Sequence, residues 1–210
     1  MNSPSISNPP PVTEGRVKRA DYDAIISMIP IESRVLDLGC GDGELMELLR
    51  ERKSCRVFGV ELDKNLARQA VSRGLSVLEA DIDEGLKEFP GDSFDIVVLS
   101  QTLQVTKRPH LVLKEMLRVG NTGIVSTPNF AHWEVRLQIA LKGRMPRTRV
   151  LPYTWYETPN IHMVTVEDFR RFCRREGLTI SKEIFLGLGR RPIRFMPNLL
   201  ARTAIFAIGH

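Results

Sequence analysis

Short, continuously apolar segments alternate with segments of helical periodicity along most of this 210-residue chain. In the apolar segments, such as 94–100 and 122–127, β-branched residues are frequent, whereas the intervening segments repeat apolar residues every three or four positions. Strands of continuous apolar character are typical of a parallel sheet that helices cover on both faces. Because 210 residues is also a usual length for one domain, the alternation predicts a single doubly wound α/β domain.

The predicted elements follow one another regularly as far as residue 127, after a first helix at about 22–29. The predicted strands are 34–38, 56–62, 76–81, 94–100 and 122–127, and the predicted helices are 44–52, 65–73 and 109–119, with a helical turn at 83–88. An insert follows at about 129–162 and contains at most one helix, at 133–141. A helix at 166–175 and two late strands, 178–186 and 202–208, complete the domain, which we take as 18–210. Residues 1–17 are rich in Pro and Ser and are expected to be disordered.

Composition excludes several classes of protein. No apolar stretch approaches the roughly 18 residues of a membrane-spanning helix, and the N-terminus lacks the features of a secretory signal, so a cytoplasmic location is expected. Cys40, Cys55 and Cys173 form no CxxC pair, and the sequence predicts neither disulfides nor a metal site. The net charge of +5 comes largely from arginines in the C-terminal half. Because no nucleic-acid recognition motif accompanies them, we expect a solvated surface and not a nucleic-acid site.

A glycine-rich loop follows the first predicted strand. Gly39, Gly41 and Gly43 allow a tight turn and a close approach of the backbone to a ligand, and the loop leads into the N-terminus of a helix. In an open α/β sheet, ligands bind at the carboxyl ends of the strands where the strand order reverses, beside the first strand. The loop therefore predicts a ligand site at this edge.

Three acidic residues end the first three predicted strands: Asp37, Glu61 and Asp81. Asp37 is unfavourable beside a pyrophosphate, and Glu44 stands where a nicotinamide-dinucleotide loop would have its third glycine. A carboxylate in that place suits a ligand with a cationic amino-acid end and no phosphate, a description that fits S-adenosylmethionine. Glu61 is then placed to accept hydrogen bonds from the ribose hydroxyls, and Asp81 from the adenine amino group, with Ile82 against the ring.

The predicted cofactor site combines the glycine loop with these strand ends. It binds S-adenosylmethionine, with S-adenosylhomocysteine as the product, and includes no metal. Its predicted contacts are Asp37, Gly39, Cys40, Gly41, Gly43, Glu61, Leu62, Asp81, Ile82 and Ser100.

Longer strings in the sequence carry a more specific resemblance. They are VLDLGCGDG at 35–43, VLSQTLQ at 98–104, PNFAHW at 128–133, GRMP at 143–146 and LPYTWYETPNIH at 151–162. Together they resemble the MetW family of methionine biosynthesis proteins. The resemblance implies the class I methyltransferase fold, a seven-stranded, mostly parallel sheet with one antiparallel strand that the late strands would supply. It also implies a role beside homoserine O-acetyltransferase.

Whether the site transfers a methyl group is a separate question. The candidates for acid–base chemistry are His132, His162 and Tyr156, of which the two histidines lie in the insert that should close over the cofactor. The string Ser100-Gln101-Thr102-Leu103 replaces the Asn/Asp-Pro-Pro-Tyr/Phe string of enzymes that methylate amide or base nitrogens, so DNA or glutamine N-methylation is disfavoured.

Three hypotheses remain open. The protein is an independent small-molecule methyltransferase, a cofactor-sensing regulatory subunit of the acetyltransferase, or a scaffold with a vestigial pocket. In the second hypothesis, aromatic side chains of the insert contact the partner, because such side chains are frequent at interface hot spots. They are Phe130, Trp133, Trp155 and Tyr156. The intact glycine loop and acidic set disfavour the third.

Overall fold

One mixed β-sheet organises the chain, for which the computed structural model describes Arg19, residues 21–148 and residues 151–210. The sheet has the strand order β3-β2-β1-β4-β5-β7-β6. The strands are β1 Arg34–Leu38, β2 Arg56–Glu61, β3 Ser76–Glu79, β4 Phe94–Ser100, β5 Gly120–Pro128, β6 Thr179–Leu186 and β7 Thr203–Gly209. The strands β1 to β5 run parallel, and β7 lies antiparallel between β5 and β6. The doubly wound, mostly parallel sheet with one antiparallel strand is thus confirmed.

Helices connect the strands and cover the sheet. They are α1 Tyr22–Met28, α2 Glu44–Lys53, α3 Lys64–Ser72, α4 Pro109–Val119, α5 Trp133–Lys142, α6 Val166–Arg175 and α7 Pro197–Leu200. Short 3-10 turns occur at Ile82–Glu84, Leu103–Val105 and Leu188–Arg190. Within the described residues, no helix has the length and apolar character needed to cross a membrane.

The central strands are buried on both faces, as their continuous apolar character predicts. Along β4, Val97 packs into the core cluster formed with α4 and α6, whereas its neighbours Ile96 and Val98 pack into the cluster formed with α1 and α2. Successive side chains of a strand point to opposite faces, so each face receives every second residue. This two-sided core holds the carboxyl ends of β1, β2 and β4 rigidly at one edge of the sheet.

The predicted strands and helices match closely, and the differences have local causes. The strand predicted to reach Asp81 ends at Glu79, because the Asp81 carboxylate accepts a hydrogen bond from the Asp83 backbone N–H (2.9 Å) and starts a 3-10 turn. That turn covers Ile82–Glu84 and not the predicted 83–88. The short α7 and the turn Leu103–Val105 were not predicted. The proposed disordered tail, 1–17, lies outside the described residues.

Candidate functional site

The glycine loop after β1 is held in a conformation that few other residues adopt. Gly39, Gly41 and Gly43 have φ angles of 73°, 57° and 82°, in the left-handed region. A Cβ atom at Gly39 would lie 2.7 Å from Oγ1 of Thr102, and one at Gly43 would collide with Leu75. At Gly41, in contrast, an added Cβ would meet nothing within 4 Å. The loop is therefore packed against its neighbours at both ends and open at its centre.

Glu61 connects this loop to the end of β2. Its Oε2 accepts a hydrogen bond from the Gly41 N–H (2.8 Å), and its Oε1 accepts one from the Asp63 N–H (2.8 Å). Each carboxylate oxygen has lone pairs left for a further donor. The side chain is only partly buried, so its carboxylate is both fixed in position and able to receive a ligand.

A cavity of about 290 Å³ opens beside this carboxylate. Five of the predicted site residues line it: Gly39, Glu61, Leu62, Asp81 and Ile82. Its other lining residues were not predicted; they are Val60, Ala80, Asp83, Thr102, Val105 and Thr106. The charged side chains of the lining are thus all acidic. Leu62 is 61% exposed and places an apolar side chain at the mouth of the cavity.

Asp37 lies at the end of β1 and is buried without a partner. Its side chain is fully enclosed on the Oδ1 side, and Oδ1 has no hydrogen-bond partner. Burial raises the pKa of the Asp37 carboxyl to about 7; the Arg19 charge opposes this shift, and the Glu61 and Asp21 charges add to it. A buried carboxylate left unpaired is costly, so such a residue is more often found at a functional site than in a structural core.

A polar cluster that the sequence did not reveal lies beside Asp37. Asp21 is buried, and its Oδ2 accepts hydrogen bonds from Arg19 Nη2 (3.0 Å), Ser100 Oγ (3.0 Å) and Ser126 Oγ (2.8 Å). The Arg19 guanidinium also lies over the ring of Tyr22, with its Cζ 4.7 Å from the ring centroid. No motif marks Arg19 and Asp21, because they precede the first strand. Ser100, a predicted cofactor contact, uses its hydroxyl within this cluster.

The turn after β4 contains a strained residue. Gln101 has a φ of 56° although it is not a glycine, a conformation that costs on the order of 1 kcal/mol or more. It is held by two hydrogen bonds to Ser126, from its backbone N–H to the carbonyl oxygen and from Nε2 to Oγ, both 2.8 Å. This conformation leads directly to Thr102, which contacts Gly39 and lines the cavity. A left-handed glutamine is not recognisable from sequence.

Cys40 contributes to the loop through its packing. Its side chain belongs to a buried apolar cluster with Met46, Ala70 and Leu75, and burial raises the pKa of its thiol. The thiol is therefore not poised as a nucleophile. The assignments of Cys40, Gly41, Gly43 and the cavity residues as cofactor contacts stay predictions.

The three candidate catalytic side chains do not line the cavity. His132 is buried, and its Nδ1 accepts a hydrogen bond from the Glu134 N–H (3.3 Å) as the N-cap of α5. Tyr156 is 68% exposed and packs edge-on against Trp155. The backbone N–H of His162 donates to the Gln104 carbonyl oxygen (3.1 Å), which ties the end of the insert to the turn at the cavity. Of the three, His162 is linked most directly to the site.

Several apolar side chains of the insert are exposed. Within α5, only Val135 is buried, while Trp133, Leu137 and Leu141 are 45%, 47% and 75% exposed. These three residues are spaced four apart and so share one side of the helix. Trp155 is 74% exposed and lies, with Tyr156, in the same insert. We call these five residues the insert surface. Phe130, another predicted partner contact, is buried with Val135 and Leu151 and is unavailable to a partner.

The C-terminal arginines are mostly engaged within the chain. A cleft of about 630 Å³ between α6 and β6 is lined by Arg170 and Arg174, but Arg170 pairs with Glu183 (2.7 Å, Nη2 to Oε2) and Arg174 with Glu167 (3.2 Å, Nη2 to Oε1). This cleft lies at the β6 edge, away from the glycine loop.

The strand order and the loop after β1 define the architecture of the class I S-adenosylmethionine-dependent methyltransferases. The chain is similar to solved methyltransferase structures of this class from Mesorhizobium loti and Thermotoga maritima, each with a TM-score of 0.67 and 19% identity. The alignment covers 92% of this chain and 99% of the first structure, and 90% of this chain and 87% of the second. At this identity the likeness shows the fold.

A sequence comparison narrows the class to one family. The family model described as methionine biosynthesis protein MetW matches residues 19–208, so the chain belongs to the MetW family. It is also 35% identical, over 94% of its length, to the bifunctional methionine biosynthesis protein MetXA/MetW of Rhodopirellula baltica. The chain spans only 34% of that longer relative.

Proposed function

We propose that this chain binds S-adenosylmethionine and S-adenosylhomocysteine at the glycine loop, with the unpaired Asp37 carboxylate receiving the ligand's ammonium group. The buried, partnerless Oδ1 of Asp37 is the observation that carries this proposal, because it lacks the cationic donor that an amino-acid end would bring. The fit extends to the cavity, whose apolar Leu62 and Ile82 match an adenine ring and whose Glu61 matches two ribose hydroxyls.

The lining disfavours a dinucleotide. The charged residues that line the cavity, Glu61, Asp81 and Asp83, are all acidic and would repel a pyrophosphate. Asp81 already accepts a hydrogen bond from the Asp83 N–H through Oδ1. Its remaining lone pairs would serve the adenine amino group.

Calorimetric titration with S-adenosylhomocysteine, with NAD as the competing ligand class, tests this proposal. We expect the wild-type protein to bind S-adenosylhomocysteine but not NAD, and Glu61→Gln to weaken binding about tenfold to a hundredfold, since a hydrogen bond to a charged group is worth about 1.5–3 kcal/mol. Asp95→Asn is the matched control, because Asp95 pairs with Arg34 at the opposite ends of β4 and β1. Absence of binding, or equal binding of NAD, would refute the proposal.

A second proposal concerns the partner. We propose that the insert surface docks on homoserine O-acetyltransferase and that cofactor occupancy regulates this partner. The Rhodopirellula relative supports it, because its name joins MetXA and MetW in one chain. The insert surface also supports the docking proposal. Trp133, Leu137 and Leu141 are exposed on one side of α5, and an exposed apolar side of a helix is typical of an interaction site.

Size-exclusion chromatography of the two purified proteins tests the docking proposal. The double change Trp155→Ala and Tyr156→Ala should abolish co-elution, while Ile31→Ala, which removes a 69% exposed isoleucine from the turn before β1, should not. Unchanged co-elution of the double variant would contradict the docking proposal.

Regulation and catalysis predict different observations. A regulatory subunit changes acetyltransferase activity without consuming S-adenosylmethionine, and its cofactor and partner affinities change each other by the same factor. An independent methyltransferase consumes S-adenosylmethionine in the presence of an acceptor; alignment of that acceptor at the methyl group then supplies much of the rate.

A further inference from the structure

A cavity on the insert combines cations with aromatic rings. It has a volume of about 480 Å³ and opens between the segments 143–147 and 154–156; we call it the insert notch. Two of its lining residues, Arg144 and Arg147, are basic, and no lining residue is acidic. Trp155 and Tyr156, which belong to the insert surface, line its other side. The notch is therefore continuous with the proposed docking site.

The segment that carries the two arginines is fixed to α5. After Lys142 the chain turns at Gly143, whose φ is 58° and whose N–H donates to the Ile139 carbonyl oxygen (2.9 Å). The Gln138 side chain then holds the returning segment, because its Oε1 accepts from the Arg147 N–H (3.1 Å) and its Nε2 donates to the Arg147 carbonyl oxygen (3.2 Å). One wall of the notch is thus docked on the helix that presents the insert surface.

The opposite wall is a turn that engages its own acidic residue. The Thr154 carbonyl oxygen accepts a hydrogen bond from the Thr158 N–H (3.1 Å), and the Thr154 hydroxyl donates to Glu157 Oε2 (2.6 Å). Trp155 and Tyr156 pack edge to face, with ring centroids 5.5 Å apart. Among the described residues, Glu157 forms no ion pair with either arginine of the notch, so the turn supplies rings without neutralising the cations.

The notch arginines differ from the other arginines of the C-terminal half. Arg170 and Arg202 are paired with Glu183 and Glu134 (2.7 and 2.8 Å). Arg147 donates from Nε to the Pro152 carbonyl oxygen (3.2 Å), but its terminal nitrogens have no acceptor in the part of the chain that the structure describes.

Arg144 is exposed and has no hydrogen-bond or ion-pair partner within 21–148 and 151–210. The sequence of the insert adds to this excess of positive charge, because residues 129–162 include five Lys or Arg residues and two Glu residues. The insert therefore presents cations that its own carboxylates do not balance.

We propose that the insert notch binds an acidic segment of the acetyltransferase, with an Asp or Glu carboxylate on Arg144 and Arg147 and a neighbouring apolar side chain against Trp155. A guanidinium binds a carboxylate through two parallel hydrogen bonds, and Arg, Trp and Tyr are the residues most frequent at interface hot spots. This inference rests on the proposed docking and deepens it, because it states the chemistry that the partner presents to the insert.

Single-stranded nucleic acid also binds cations and aromatic rings, but the surroundings of the notch favour a protein. Bases stack on aromatic rings, whereas the side of α5 that leads to the notch exposes Leu137 and Leu141, 47% and 75% accessible. Such aliphatic side chains gain from burial against an apolar protein surface and not from contact with a polyanion.

Association kinetics of the full chain with purified homoserine O-acetyltransferase test the inference at low and high salt. We expect the wild-type association rate to fall about tenfold or more between about 0.05 M and about 0.5 M salt, because salt screens the attraction between opposite charges. Arg144→Glu should lower the association rate about tenfold at low salt and remove most of its salt dependence. Arg56→Glu is the matched control, since Arg56 is exposed at the amino end of β2, the edge of the sheet opposite the insert.

A conservative variant separates a direct contact from a general effect of charge. Arg144→Lys keeps the charge but loses the planar pair of donors, so it should leave the association rate within about twofold of the wild type and speed dissociation several-fold. All three variants should unfold thermally like the wild type, because neither Arg144 nor Arg56 has a side-chain partner among the described residues.

Three results would overturn the inference. One is an association rate for Arg144→Glu that equals that of the wild type or of Arg56→Glu, and another is a wild-type rate that does not depend on salt. The third is a single-stranded RNA of about 20 nucleotides that binds as tightly as the acetyltransferase and is lost in Arg144→Glu, which would assign the notch to nucleic acid. If the wild-type protein does not bind the acetyltransferase at either salt concentration, the docking proposal itself fails. Failure of the proposed cofactor binding appears only in the titration with S-adenosylhomocysteine.

Discussion

The unpaired Asp37 makes cofactor affinity depend on pH in a direction that can be worked out. The ligand's ammonium group requires an ionised Asp37, but burial raises the pKa of that carboxyl to about 7 in the free protein. Below this pH the free protein must lose a proton before or while it binds. Affinity for S-adenosylhomocysteine therefore falls as the pH falls through 7.

The magnitude follows from the two groups involved. With a carboxyl pKa of about 7, roughly half of the Asp37 side chains are ionised at pH 7, about a tenth at pH 6 and about a hundredth at pH 5. The ligand's amino group stays protonated across this range, so the change in affinity between pH 8 and pH 5 comes from Asp37. We expect an affinity at pH 5 that is at least about 50-fold weaker than at pH 8, which corresponds to about 2 kcal/mol.

Calorimetric titration from pH 5 to pH 9, in buffers of two different ionisation enthalpies, measures both the affinity and the protons released. Nearly one proton should leave per bound S-adenosylhomocysteine at pH 6. In Asp37→Asn, binding should be weaker at pH 7.5, and its dependence on pH between 5 and 7 should disappear. The probe without an amino-acid end, 5′-methylthioadenosine, should bind equally well across this range. If wild-type affinity for S-adenosylhomocysteine is constant between pH 5 and 7.5, Asp37 is not the ammonium acceptor.

Three further predictions follow from the same site. Asp37→Asn should raise the free energy of unfolding at pH 8 by up to roughly 4 kcal/mol, because the carboxyl pKa is 3.8 in the unfolded state and about 7 in the folded state. This gain should shrink as the pH falls from 7 to 4, because the folded wild-type protein then carries a proton on Asp37. Denaturant titrations at several pH values measure the difference. Gly43→Ala should lower the free energy of unfolding by about 2–4 kcal/mol, because its φ is 82° and its Cβ would collide with Leu75; thermal unfolding that matches the wild type would contradict the loop packing. Gly41→Ala should lower the free energy of unfolding by only about 1–2 kcal/mol, since nothing lies within 4 Å of the added Cβ. The same variant should weaken cofactor binding in calorimetry, and an unchanged affinity would refute this expectation.

The central strands of the sheet were predictable because each is buried on both faces and is therefore apolar along most of its length. β1 and β4 were predicted with their observed bounds, Arg34–Leu38 and Phe94–Ser100, since burial on both faces leaves no position for a polar residue until the strand ends. The same burial explains why Asp37, within β1, is conspicuous. A carboxylate inside such a strand has a cost that only a function or a partner offsets.

The acidic strand ends were predictable for a related reason. Parallel strands bring their carboxyl ends to one edge, so the order Asp37, Glu61 and Asp81 along the chain becomes a spatial group. The structure brings Glu61 and Asp81 to one cavity, whereas Asp37 is buried and is not among the residues that line it.

The cluster around Asp21 was not predictable. It joins three segments that are distant in the chain, those that contain Arg19 and Asp21, Ser100, and Ser126, and the sequence neighbours of these residues give no periodic signal. The left-handed Gln101 was hidden for another reason, because its φ of 56° is imposed by contacts with β5 and not by its own preference. The catalytic candidates stay predictions that rest on residue type. For one of them, His132, the structure shows a local role, because its Nδ1 caps α5.

A crystal structure of the protein with S-adenosylhomocysteine tests the proposed site most directly. We predict the ligand at the carboxyl ends of β1 and β2, with its ammonium nitrogen within hydrogen-bond distance of an Asp37 carboxylate oxygen and its ribose hydroxyls on Glu61. A ligand found elsewhere, such as in the cleft between α6 and β6, or one whose amino-acid end points away from Asp37, would contradict the proposed binding mode.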